Sequence, residues 1–422
     1  MTHNQAATPT NAPLAPFSLY QKTVVAMLAF LQFAVILDFM LMSPMGALIM
    51  PALDLAPSQF GLVVSAYAFS AAASGLMTAG FADRFDRKKL LLFFYGGFVL
   101  GTMWCGLAQR FETLLMARIV TGLFGGVIGS IVIAISTDLF PPQMRGRVMG
   151  TIQTAFAASQ VLGIPIGLYL SNRWNWHVPF LALAAIGVLG GIVVSWQMKP
   201  VADHLKAPQD HSPWAHLLNT LKVPRNLLAF ATTTLLSTGG FMLMPFSSAF
   251  IVNNVGISVH DLPMVYVITG VCTVFTGPLI GKAADRFGKL PVFTFGCVVS
   301  IAMVLIYTHL GPIPLPVLIL INAVLFVGIF SRIIPAQALM ASVPTPSQRG
   351  AFSSISASVQ QLSGGLASVV AGHIVVVGAD QKLQHFDVVG FVVVATTLTS
   401  LLLLRRLQRD INRAVDAIRA PR

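Results

Sequence analysis

The feature that most limits this chain is the recurrence of apolar blocks of about 20 residues between short polar turns, because that length of helix crosses a ~30 Å hydrocarbon core. Runs such as Leu90 to Leu107 and Leu181 to Trp196 are apolar on every side, a pattern that surface helices of soluble domains do not show. A β-barrel would alternate in segments of about ten residues, so the blocks read as helices. Composition agrees: 9% of the 422 residues are charged and 55% are apolar, against roughly 25% charged in an ordinary soluble domain.

Apolar blocks and turn signals place spans near 21–50, 59–81, 90–108, 113–140, 147–171, 177–198, 223–252, 260–282, 290–309, 315–340, 350–376 and 387–405. This predicts an all-α membrane protein of twelve transmembrane helices. The organisation it implies is an N-terminal tail (1–20), a six-helix bundle (21–198), a polar linker (199–222), a second six-helix bundle (223–405) and a C-terminal tail (406–422). Of the 26 Lys and Arg, only Arg110, Arg173 and Lys382 fall in one set of turns, and Arg118 and Arg332 fall inside spans. The rest lie in the other set of turns and in the tails, which by the positive-inside rule puts both termini in the cytoplasm and the chain in the cell inner membrane. The Pro-rich segment before Ser18 has no apolar core of a signal peptide and reads as part of a cytoplasmic tail.

A net charge of +12 raises the question of nucleic acid, but the basic residues sit in turns between spans rather than on one face of a soluble module, so no nucleic-acid partner is expected. Cys105, Cys272 and Cys297 all lie within apolar blocks, which supports neither a disulfide framework nor a metal site. No catalytic motif stands in its structural context and no cofactor is expected, so the chain reads as a non-enzyme.

Two local sequences recur. Ala82-Asp83-Arg84-Phe85 returns as Ala284-Asp285-Arg286-Phe287, and Pro142-Gln-Met-Arg145-Gly146 as Pro346-Ser-Gln-Arg349-Gly350, at offsets of 202 and 204. Two matches at nearly one spacing make the six-span halves homologous, with pseudo-twofold symmetry and a site at the midplane between them.

The loop from Ala79 to Lys88 resembles the signature G-x-L-A-D-R-x-G-R-[RK] of the major facilitator superfamily, departing at Ala79 and Asp86. The second copy, Gly281 to Lys289, has glycine at both places. Leu114, Arg118 and Gly122 are similar to a span-four signature of that superfamily's proton-coupled members. Gly163-Ile-Pro165-Ile-Gly167 resembles the span-five motif of its antiporter branch, in the form common among sugar, nucleoside and drug exporters, and Ile164 departs from the stricter form. The resemblance covers nearly the whole chain. It implies a multidrug-type or metabolite efflux carrier that works by alternating access as a functional monomer, with a small-molecule substrate, protons and the lipid bilayer as its partners.

Within the spans, charge is scarce and therefore informative. Asp38 lies some sixteen residues after Lys22, roughly 24 Å along a helix, where a carboxylate costs roughly 2.5–3.5 kcal/mol on insertion scales. It is the candidate proton carrier, with a lumen-facing structural Asp as the alternative. Arg118, one to two turns into span four, is its natural partner, or else a structural arginine held by backbone carbonyls. Arg332 in span ten either attracts an anionic substrate group or snorkels to the inner interface, and snorkelling is the expectation.

At the cytoplasmic turns, Asp83, Arg84, Arg87 and Asp138, with the second-copy Asp285 and Arg286, are read as a conformational gate. The resemblance implies that Asp83 meets the N-terminus of span eleven. Gly163, Pro165 and Gly167 permit a bend and close helix contact. The face of span one that carries Asp38 also carries Leu31, Ala34, Val35, Leu41, Met42 and Met45, which suit the wall of a ligand site, although such residues more often just pack helices. Further cavity candidates are Phe241, Met242, Met244, Phe246, Tyr266, Gln153, Gln160 and Arg332. The leading function is a proton-coupled exporter of a drug, sugar, nucleoside or amphipathic metabolite. The rivals are a proton-coupled importer and a non-transporting membrane sensor.

Overall fold

Long apolar segments satisfy their backbone polar groups internally as helices, and in a computed structural model, which describes residues 17–78, 84–206, 213–345 and 348–419, nearly every apolar block is one. The N-terminal half comprises α1 (Leu19–Leu41), α2 (Gly46–Ala52), α3 (Pro57–Thr78), α4 (Arg87–Leu107), α5 (Phe111–Leu139), α6 (Pro142–Ala158), α7 (Ile164–Arg173) and α8 (Val178–Gln197). The polar linker contributes α9 (Pro213–Leu221). The C-terminal half comprises α10 (Pro224–Asn253), α11 (Leu262–Phe287), α12 (Lys289–Thr308), α13 (Leu315–Met340), α14 (Arg349–Ile374) and α15 (Phe386–Arg419). Between α14 and α15, β1 (Val376–Val377) and β2 (Leu383–Gln384) pair antiparallel, a hairpin that hydropathy does not announce.

Span one is not the continuous helix expected over 21–50. It starts on a capping box, in which Ser18 and Gln21 exchange backbone-to-side-chain hydrogen bonds of 3.0 and 3.2 Å. It breaks after Leu41 because Pro44 disfavours helical geometry at Ser43, then resumes as α2. Span five is likewise interrupted. A π-helical stretch, Ser159–Gly163, joins α6 to α7, and Pro165 explains it, since proline offers no N–H to the carbonyl of Val161 one turn back.

Eleven of the described helices are long and apolar enough to cross a membrane. The twelfth span, α14, has the length but is diluted by serine and glycine. From Ser358 onward those residues, Ser358, Ser363, Gly364, Gly365, Ser368 and Gly372, are buried against protein. A Cβ on Gly364 would meet the ring of Phe241 in α10, and one on Gly365 the ring of Phe69 in α3. The small residues let α14 lie against both halves at once.

The halves touch closely at one end. A Cβ on Gly46 would stand 2.9 Å from the carbonyl oxygen of Pro245, one on Gly61 2.6 Å from that of Ser368, and one on Gly372 2.8 Å from that of Pro57. Ser248 donates to the Ser43 carbonyl at 3.3 Å and accepts from Ala47 N at 3.2 Å, and Asn172 donates to the Val259 carbonyl at 2.9 Å. At the opposite end, Gly146 and Gly150 of α6 and Gly277 and Gly281 of α11 have no atom within 4 Å of a Cβ position. Among the described residues, the molecule is closed at the end of α2, α7 and the hairpin, and parted between α6 and α11 at the other, where α3 still meets α14 with a Cβ on Gly75 3.9 Å from Ser358 Oγ.

Candidate functional site

Asp38 and Arg118 come together as the sequence suggested. Arg118 donates from Nη1 to Asp38 Oδ2 at 2.7 Å, and Thr102 of α4 donates from Oγ1 to Oδ1 at 3.0 Å. Both charged side chains are 0% exposed. The guanidinium also lies over the Tyr67 ring of α3, 4.6 Å from its centroid. Four helices thus converge on one ion pair. Nε and Nη2 of Arg118 have no hydrogen-bond partner, so a single hydrogen bond ties the pair. Breaking one member of such a buried pair costs about 3–5 kcal/mol. Thr102 and Tyr67 were not anticipated, since a hydroxyl or an aromatic ring inside an apolar block carries no sequence signal of its own.

The motif in span five packs directly beside this pair. A Cβ on Gly163 would stand 2.5 Å from Leu37 Cδ1, and one on Gly167 2.5 Å from Leu41 Cδ1. The glycines therefore seat the two leucines that flank Asp38. Ser159 donates to the Phe33 carbonyl at 3.2 Å and fixes the same contact one turn lower. On its other side the π stretch meets α11: a Cβ on Gly270 would stand 3.2 Å from Val161 Cα.

Of the two readings of the Asp38 face, ligand wall or helix packing, the structure has packing. Leu31, Ala34, Val35, Leu41, Met42 and Met45 are buried. The face of α1 that holds Asp38 turns into the core of its own half, because the charge pair itself must be enclosed there. The half-buried face is the other one, with Gln32, Ile36 and Phe39. Met242 and Phe246 are also buried in the core, whereas Met244 and Tyr266 are partly covered by it. Phe241 is half-buried and reaches across, its ring centroid 5.8 Å from that of Phe39, which in turn lies 5.1 Å from Tyr67. Gln153 is exposed on α6 towards the parted end, and Gln160 is half-buried. Arg332 does not snorkel: its side chain is buried within the C-terminal half, since the turn that carries it is pressed against α12 at Gly296.

At the parted end, Arg87 and Asp138 pair as expected, Nε to Oδ2 at 3.2 Å. Asp83 lies outside the described residues. Arg84 is exposed, as are Asp285 and Arg286, and among the described residues the second loop copy forms no ion pair matching Arg87–Asp138. Its guanidinium instead sits 5.3 Å from the ring of neighbouring Phe287. The linker supplies what the sequence reading missed. His204 Nδ1 approaches Asp138 Oδ2 at 3.4 Å, its Nε2 lies 3.2 Å from the Phe85 carbonyl, and Arg87 N donates to the Val201 carbonyl at 3.0 Å. Asp86, where the resembled signature has glycine, accepts from Lys88 N at 2.8 Å and caps α4.

Comparison with known proteins places this geometry. The family model described as Major Facilitator Superfamily matches residues 28–368 and 229–415. An uncharacterized MFS-type transporter of Bacillus subtilis, YceJ, is 25% identical over 368 residues, 86% of this chain and 90% of that protein. The multidrug resistance protein MdtG of Serratia proteamaculans is 29% identical over 58% of this chain and 60% of its own. Among solved structures, a bacterial homologue of the human lysosomal transporter Spinster, in an inward-facing and unoccupied conformation, superposes with a TM-score of 0.71. It is 15% identical and covers 93% of this chain and 96% of its own. With the family model spanning both halves and the twelve-helix fold in place, the chain belongs to the Major Facilitator Superfamily: a multi-pass membrane transporter of small molecules and not an enzyme.

Proposed function

We propose that the protein is a proton-coupled exporter of a small apolar or amphipathic molecule, working by alternating access in the inner membrane with both termini in the cytoplasm. The observation that carries this reading is the enclosed Asp38–Arg118 pair. A carboxylate wholly removed from water and tied by one arginine hydrogen bond is a two-state element. Either it stays ionised against Arg118, or it takes a proton and releases the cation. Its neighbours link it to the boundary between halves: Leu37 and Leu41 seat on the span-five glycines, and Phe39 touches Phe241. The positive-inside skew supports assigning the parted end to the cytoplasm, so this conformation is inward-facing. Arg87, Asp138 and His204 then form the cytoplasmic gate, and Asp83 is proposed to complete it. The relative named as a multidrug resistance protein supports export.

The experiment is proton counterflow in proteoliposomes holding a pH-sensitive dye, challenged with ethidium, chloramphenicol and 2-naphthoate as cationic, neutral and anionic amphipaths. An exporter of this kind moves protons opposite to at least one of them, and Asp38→Asn abolishes that movement. Substrate flux without any proton signal contradicts the proposal.

A further inference from the structure

Arg332 of α13 has no assigned part in the pair at Asp38. The offset of 204 that relates the second pair of repeated loops carries Arg118 onto Asn322, and carries Ile128 onto Arg332. The second intramembrane arginine is therefore not the symmetry mate of the first but an addition to the C-terminal half.

Its surroundings contain no counter-charge. Arg332 is 5% exposed. Among the described residues it joins no ion pair, and its Nε has no hydrogen-bond partner. The acids of this half, Asp261, Asp285, Asp380, Asp387, Asp410 and Asp416, stand in turns, in terminal turns of helices, or on the charged extension of α15 past Leu404. A guanidinium does not deprotonate, and enclosing it without an anion is strongly unfavourable. The backbone offers it no retreat, because a Cβ on Gly296 of α12 would stand 2.9 Å from Arg332 N.

What lies next to it is uncharged, with the Cys297 side chain of α12 and the Val393 side chain of α15 close by. Gly239 of α10 faces the guanidinium, a Cβ there standing 3.8 Å from Nη2, and Thr396 of α15 closes the same corner. One residue on, Gly240 is exposed with no atom within 4 Å of its Cβ position. One further, Phe241 touches Phe39 of the opposite half. Gly239 thus lets α10 approach Arg332, while Phe241, about 200° further round the same helix, meets the opposite half. Arg332 lies eight residues before the end of α13 at Met340, roughly 12 Å along the helix. That is too deep for a lipid headgroup at the interface.

We propose that Arg332 anchors the acidic group of the transported molecule, so that the substrate is an amphipathic organic anion, a carboxylate with an apolar body. This rests on reading the chain as an alternating-access carrier, and it narrows the substrate class of that carrier. Planar, forked donors suit a carboxylate. The Asp38 pair then handles the proton while Arg332 handles the cargo, each in its own half.

The test is equilibrium binding to the full chain in lipid nanodiscs, read by thermal unfolding. The probes are 2-naphthoate and its neutral isostere 2-naphthamide, with the wild type, Arg332→Gln and Arg332→Lys. Naphthoate is expected to stabilise the wild type in the micromolar to millimolar range. It should bind Arg332→Gln more than tenfold more weakly and Arg332→Lys within about tenfold, while naphthamide does not distinguish the variants. Ligand-free Arg332→Gln should melt at or above the wild-type temperature, since no pair is broken. The proposal is overturned if naphthoate fails to stabilise the wild type, if acid and amide respond alike to Arg332→Gln, or if that variant melts well below wild type without ligand. Proton coupling is read separately in transport: its failure leaves this binding result standing, and failure here leaves the Asp38 result standing.

Discussion

The rings of Phe39 and Phe241, one from each half, lie 5.8 Å apart, and Phe39 follows Asp38 in sequence. Phe39 also touches Tyr67, whose ring carries the Arg118 guanidinium. Three side-chain contacts thus lead from Arg118 to the opposite half. Truncating Phe39 or Phe241 to alanine should leave the protein folded, at a cost of about 1–3 kcal/mol for a half-buried ring, yet blunt transport by an order of magnitude or more. Proton movement and substrate flux measured together in proteoliposomes check this. The expected outcome is proton leak without matching flux.

The closed end depends on the absence of a side chain at Gly61. A Cβ there would stand 2.6 Å from the Ser368 carbonyl, and rigid backbone on both sides cannot give way cheaply. Gly61→Ala should part the halves at that end and shift the population towards the outward-open form. Cysteine labelling at Gln153 checks it: the residue is exposed towards the parted end here and should become protected.

The span-five glycines give a graded prediction. A Cβ on Gly163 or Gly167 would stand 2.5 Å from Leu37 or Leu41, so Gly163→Ala and Gly167→Ala should each destabilise by about 1–3 kcal/mol through overpacking. Pairing Gly163→Ala with Leu37→Ala should restore much of both stability and transport. Melting temperature and flux of the double variant decide whether the glycine serves close packing or only the bend.

The fold was legible because its signal is redundant: block length, charge asymmetry and the repeated loops all point to twelve helices in two halves. The charge pair was legible for a related reason, as acids and arginines are rare enough inside these spans that Asp38 and Arg118 had few alternatives. What hydropathy could not give was direction around a helix. Every face of α1 is apolar, so nothing in its sequence said that the Asp38 face turns inward and the Gln32 face outward. For the same reason Met42 and Met242 read as ligand walls and are core. Arg332 was misread because snorkelling depends on whether a neighbouring helix blocks the way, and Gly296 of α12 does. His204 escaped notice because a polar linker gives no hint of which loop it will lie against.

At the parted end, Asp138 receives both Arg87 and His204. Asp138→Asn should loosen the linker from the α4 start without altering insertion, since no positive charge is lost. The cost in stability should be small, about 1 kcal/mol for partly exposed pairs. Limited proteolysis in the linker should speed up, while binding of substrate stays unchanged.

The most direct test of the whole account is Asp38→Asn, which keeps the shape and one acceptor oxygen for Arg118 while removing the charge and the titrating group. In proteoliposomes with an imposed pH gradient, the account predicts that this variant binds and exchanges substrate but no longer concentrates it. If Asp38→Asn still accumulates substrate against its gradient, another ion or another residue drives transport, and the enclosed Asp38–Arg118 pair is structural.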